Sequence, residues 1–263
     1  MPEQTIDQLL TRMDDIVDDC LLGASRLGFF AALYRRVTRT IHDLLGKDYF
    51  DDDARMEHLD VVFAGRWLAA VDDYVRRGPG CTAPWTVAID AVADRRLIIL
   101  QHLLVGMNAH IELDLGVACA EVAPGDALAS LHADFLRINK VLAVLSPLVE
   151  KEIGDLSPAI HLAEKVGRVV EKPIVDTGML VARTTAWSLA KHLAPLPPAE
   201  RAPAIADRAA QVARWGRDIV EPPLLARAAL EAIEVVESND VRAIIRRLSQ
   251  ARTVRFDGLD LPT

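Results

Sequence analysis

The chain has 263 residues, is 51% apolar and carries a formal net charge of −8 with a pI near 5.4. That composition is enough for a sizeable core, while the acidic balance and the lack of any basic run interleaved with aromatics argue against nucleic acid or an anionic membrane surface as a partner. The acidic N-terminal segment (Asp7, Asp14, Asp15, Asp18, Asp19) does not read as a secretory signal, and the longest apolar stretch, 97–111, is broken by Gln101, His102, Asn108 and His110. A soluble, cytoplasmic protein without membrane insertion is therefore expected.

Helical periodicity dominates, and the expected fold class is all-α, a multi-helix bundle-like domain with additional C-terminal helices. A first helix is predicted over 6–22 and a second over 25–45, stopped by Gly46. Asp51 to Asp53 cap a third over 55–77, ended by Gly78-Pro79-Gly80. Pro84 opens a long fourth helix to about residue 121, with a bend expected near Gly106. A fifth follows Pro124-Gly125-Asp126 and runs to about 153. Ser157-Pro158 starts a further helix ended by Lys172-Pro173, and another covers 177–193. The Pro195 to Pro198 segment reads as a stiff connector before two last helices, 199–220 and 222–250. The expected division is a helical core, 1–156, with C-terminal helices, 157–263, packed on it as one domain.

The stretch 100–116, Gln-His-Leu-Leu-Val-Gly-Met-Asn-Ala-His-Ile-Glu-Leu-Asp-Leu-Gly after Leu100, is an apolar helix interrupted by five polar residues. Burying imidazole, amide and carboxyl groups is costly unless each finds a partner, so this segment builds either a polar interior or a pocket. His110 and Asp114 are i,i+4 neighbours with His102 on the same broad side, whereas Asn108 and Gln101, seven residues apart, share the opposite side and suit bonds to neighbouring helices. Leu104, Met107, Phe63, Phe135 and Trp67 would floor such a pocket.

Three readings fit these residues. The first is a metal site, with His102, His110 and Asp114 joined by Asp134 from the next helix as ligands for zinc, iron or manganese and a metal-dependent hydrolase as the outcome. The second is metal-free: His110 oriented by Asp114 as general base, with His102 and Asn108 or Asn139 holding an oxyanion or enolate, in a cyclase or isomerase of specialised metabolism. The third is a ligand-binding or scaffold protein whose polar network fixes helix register. His102, His110, Asp114 and Asn108 are the catalytic candidates. Asp14, Asp15, Asp18 and Asp19 resemble a magnesium-binding acidic motif without the second motif that chemistry needs, and read as a solvated face. Cys20, Cys81 and Cys119 lack a nucleophile signature and read as reduced, buried thiols.

The glutamine-histidine run, together with Leu59-Asp60-Val61-Val62-Phe63-Ala64, Asp134-Phe135, Ile138-Asn139 and Arg183 with Trp187, resembles an uncharacterised bacterial all-helical family catalogued as a domain of unknown function (family 5995). The resemblance covers roughly 25–195 and implies a helical fold, not a reaction. Its pattern matches at Asp60, Arg66, Gln101, His102, Asn108, His110, Asp114, Asp134, Asn139, Arg183 and Trp187, and departs at Glu112; His58 and His132 lie outside it. Asp60, Arg66, Gln101, Met107, Phe135, Asn139, Arg183 and Trp187 are thus the substrate-binding candidates, with Arg183 expected to hold an acidic group or pair with Asp60 or Asp134. The expected function is an enzyme acting on a small, largely apolar molecule by acid–base or metal-assisted chemistry. A small-molecule substrate is the expected partner, and a homodimer stays open.

Overall fold

Thr5 starts the first helix: its side chain accepts a hydrogen bond from the Gln8 amide, satisfying one of the donors a helix N-terminus leaves free. The computed structural model describes residues 3–76, 78, 81–157, 174–250, 253–256 and 259–262. In chain order it contains α1 (Ile6–Gly23), α2 (Leu27–Leu44), α3 (Asp53–Arg76), α4 (Ala83–Ala91), α5 (Ile99–Ala109), a π-helical turn (His110–Leu115) and α6 (Gly116–Val122). There follow α7 (Ala127–Leu156), α8 (Ile174–Leu193), α9 (Pro198–Val220), α10 (Leu224–Glu234), α11 (Val241–Leu248) and a short antiparallel hairpin, β1 (Thr253–Phe256) with β2 (Leu259–Pro262). The all-α expectation holds, with that hairpin as the addition.

The element boundaries differ from the periodicity reading in the fourth and the last predicted helices. The fourth predicted helix is broken at 92–98, not at Gly106. Gly106 is instead a close-approach position: a Cβ there would come within 2.7 Å of the Phe30 ring, so the glycine lets α5 lie against α2. The last predicted helix divides into α10 and α11, and the helix expected between Ser157 and Lys172 lies outside the described residues.

Two apolar clusters organise the interior. One gathers Leu9, Met13, Phe29, Trp67, Trp85 and Leu103 with Ile244, Ile245 and Leu248 of α11. The other joins Leu44, Met56, Leu113 and Leu131 to Leu193 of α8 and Val212 of α9. The 24-residue run Ile99–Val122 is long and apolar enough to cross a bilayer, but 72% of its most apolar window is buried inside the fold, as in a core helix. Gly116 is equally close to its neighbour, and there the neighbour is backbone: a Cβ would meet the Ala186 carbonyl oxygen at 2.7 Å, so this absence of a side chain seats α8 on the run.

Candidate functional site

Residues from both clusters wall one cavity that opens to solvent. Its walls come from α2 (Phe30, Tyr34, Val37), α3 (Met56, Asp60, Phe63), α5 and the π turn (Leu104, Met107, His110), α7 (Phe135 to Ile153) and α8 (Met179, Arg183). A mostly apolar wall with a few convergent polar groups is the usual form of small-molecule sites. Among the described residues, Tyr34, Asp60, His110, Ser146 and Arg183 bring polar side chains to it.

Asp60 is buried, and its Oδ2 has no hydrogen-bond partner. Burial pushes its carboxyl up from 3.8 to about 7, with the charge of Arg183 pulling it back. The hydroxyl of Tyr34 is likewise buried and makes no close hydrogen bond; burial, then the charge of Asp60, holds its pKa well above 10, with the nearby Thr38 hydroxyl pulling it back. Arg183 donates through Nε to Asn139 Oδ1 and through Nη2 to the Phe135 carbonyl at 2.8 Å, and its guanidinium lies 4.3 Å from the centre of the Phe135 ring. All these contacts are with neutral groups, and burial lowers its pKa to about 10.

His110 stands in an aromatic cage. Its ring stacks on Phe63 at 3.7 Å and meets the edge of Tyr34 at 4.2 Å, with Phe30 at 5.6 Å and Trp85 at 6.1 Å. Both ring nitrogens lack partners; the nearest carboxyl oxygen, Asp114 Oδ2, is 3.9 Å from Nδ1, beyond a direct hydrogen bond. Burial lowers the histidine's pKa, so the ring is neutral. The π turn that carries His110 and Asp114 is a geometry often found where a helix departs from regularity for a site.

Asp114 lies behind this wall. Its Oδ1 accepts from Arg66 Nε at 3.0 Å and its Oδ2 from Trp85 Nε1 at 2.7 Å, so the carboxyl binds three helices together instead of orienting the imidazole. Arg66 also reaches Glu121 at 3.6 Å.

The expected convergence of His102, His110, Asp114 and Asp134 is not what the structure shows. His102 faces the far side of α5, edge-on to Phe29 and beside Arg26, and burial drops its pKa to about 4. Asp134 accepts from Arg55, Arg137 and the Asp51 amide, which ties α7 to the α2–α3 connection. Among the described residues no group of three or more His, Cys, Asp or Glu is arranged to hold a metal ion. Helical spacing left His102 rotated by about 80° from His110, and the helices packed around them place the two rings in different surroundings, Phe29 and Arg26 for one and the cavity wall for the other.

Of the other candidates, Asp60, Met107, Phe135 and Arg183 border the cavity. Gln101 and Asn108 do not: they donate to the Ile219 and Val212 carbonyls of α9 at 2.8 and 3.0 Å, matching the shared face their seven-residue spacing predicts. Asn139 acts through Arg183, and Trp187 packs on Phe135 and His132, each at 4.7 Å. Leu104 and Phe63 line the floor as expected, whereas Trp67 is buried behind it. Glu112 pairs with Arg208 of α9, outside the cavity. In the acidic N-terminal run, Asp14 meets Arg35 and Arg39. The sequence reading missed Tyr34, whose only signal was a polar tip on the apolar stripe of α2.

A helical domain enclosing an apolar cavity, with a carboxyl, a phenol, an imidazole and a guanidinium in its wall, is the class these observations define. The chain belongs to the family of unknown function DUF5995, whose model matches residues 6–222. No curated protein and no solved structure matches it significantly.

Proposed function

We propose that the chain takes a small, largely apolar molecule into the cavity and acts on it by acid–base chemistry, with Asp60 as the group that exchanges a proton. The observation that carries this reading is a carboxyl in an apolar wall, with one oxygen unpartnered and a pKa near 7, where both protonation states are populated at neutral pH. His110 is the weaker proton carrier, being neutral and without an orienting carboxylate. The metal-assisted alternative has no converging donor set to support it among the described residues.

A second reading, binding or carriage without turnover, is favoured by the scarcity of polar groups in the wall. One experiment separates the two. The protein is incubated with the apolar fraction of a bacterial extract, and retained and consumed species are followed by liquid chromatography with mass spectrometry. Acid–base catalysis predicts a species consumed by the wild type and retained unconverted by Asp60→Asn. Retention without conversion by either protein removes the catalytic reading, and no retained apolar species removes both.

A further inference from the structure

We infer that the ligand of the cavity is a long-chain carboxylic acid whose carboxylate is received by Arg183 and Tyr34. This deepens the proposed uptake of an apolar molecule and rests on it. Arg183 is 5% exposed, yet the groups it touches are an amide oxygen, a backbone carbonyl and an aromatic ring, none of them charged. Buried guanidinium groups are ordinarily paired, because removing a charge from water is expensive without a counter-charge. Asp60 acts on Arg183 through its charge without a hydrogen bond, and a carboxyl with a pKa near 7 supplies that charge only in part at neutral pH. An anionic head at the cavity wall would complete the pair.

Tyr34 supplies the second donor. Tyr34 lines the same cavity, its hydroxyl near that of Thr38 but in no close hydrogen bond and so able to donate to a ligand, and Asp60 in its protonated form is a third group able to donate to a carboxylate. A cationic head would face Arg183 with like charge, and a neutral head would leave the guanidinium unpaired. The wall also indicates the ligand's length: on α7 it extends from Phe135, under Arg183, to Ile153, about 18 residues or roughly 27 Å of helix. Beyond the polar groups this surface is supplied by Leu142, Leu145, Val149 and Ile153, which suits an extended hydrocarbon.

The test uses the full chain with Nile red as a neutral probe of the cavity and palmitate, hexadecanol and hexadecylamine as competitors, each below its aggregation limit. Palmitate is expected to displace the probe at least about tenfold more tightly than the alcohol or the amine, the scale of a charge-assisted hydrogen bond. In Tyr34→Phe, which keeps the ring, that preference should shrink by about threefold or more, and in Arg183→Gln it should vanish. If the three compete equally in the wild type, the carboxylate reading is overturned while the uptake reading stands. If none displaces the probe, or the probe does not bind saturably, both fall. The wild-type comparison decides the matter even where the Arg183 variant does not fold.

Discussion

The ring of Phe63 lies flat on that of His110, with centroids 3.7 Å apart and planes 11° from parallel. The imidazole is thereby used as an aromatic ring, since neither nitrogen has a partner and the cage around it is apolar. His110→Phe should then fold with a melting temperature at or above that of the wild type. His110→Ala opens a cavity and should lose about 3–5 kcal/mol, the range for removing a buried aromatic ring. Chemical denaturation of both variants checks this. A Phe variant with native stability but no activity on a consumed species would instead show that the imidazole has a chemical task.

Asp60 and His102 impose opposite pH dependences on stability. The carboxyl of Asp60 has a folded pKa raised from 3.8 to about 7, so its contribution is fully present below 3.8 and is lost as pH rises through 7, at most about 4 kcal/mol. Asp60→Asn should therefore stabilise the protein at pH 8 by several kcal/mol, at about this upper limit, and much less at pH 4. His102 has a folded pKa lowered from 6.5 to about 4; the unfolded chain takes up the proton first, and stability falls as pH drops through that window. His102→Leu should flatten the acid side alone. Urea midpoints across pH 4–8 for the two variants separate these effects, and a uniform shift of the Asp60→Asn curve at every pH would refute the assigned titration.

Trp85 and Arg66 hold the carboxyl of Asp114 from two helices. Trp85→Phe keeps the ring packing and removes the donor, leaving Oδ2 of a fully buried carboxyl unsatisfied, which should cost about 1.5–3 kcal/mol. Asp114→Asn in the Trp85→Phe background should recover part of this loss, because the neutral amide tolerates the missing donor better. A double-mutant cycle measures the coupling, and strict additivity of the two changes would contradict the contact.

Gly106 and Gly116 should respond differently to the same substitution. At Gly106 an added Cβ meets the Phe30 side chain, which can yield by intruding on the cavity, so Gly106→Ala should cost about 1–3 kcal/mol and weaken Nile red binding. At Gly116 the nearest atom is the Ala186 backbone carbonyl, which cannot rotate away. Gly116→Ala should be the more destabilising, with its effect on thermal unfolding. Equal and small losses at both sites would mean that neither close approach is real.

The sequence by itself determined the helical class, most helix limits and the apolar character of 99–122, because period and caps are local properties of the chain. It also identified the roles of Gln101 and Asn108 as ties to a neighbouring helix, since two amides seven residues apart share one helical face. Tertiary structure alone decided which polar residues meet. His102 and His110 lie eight residues apart, a rotation of about 80°, and which neighbours that angle delivers each ring to depends on the helices packed there; the partners of Asp114 and Asp134 from other elements are Arg66, Trp85, Arg55 and the Asp51 amide, 29 to 83 residues away in the chain. Tyr34 and Asp60 come from consecutive helices and Arg183 from one more than 120 residues later, and they share one wall only when α2, α3 and α8 pack around the same space. Whether a buried polar group is satisfied depends on atoms supplied by those distant segments, and no spacing within a single helix encodes that.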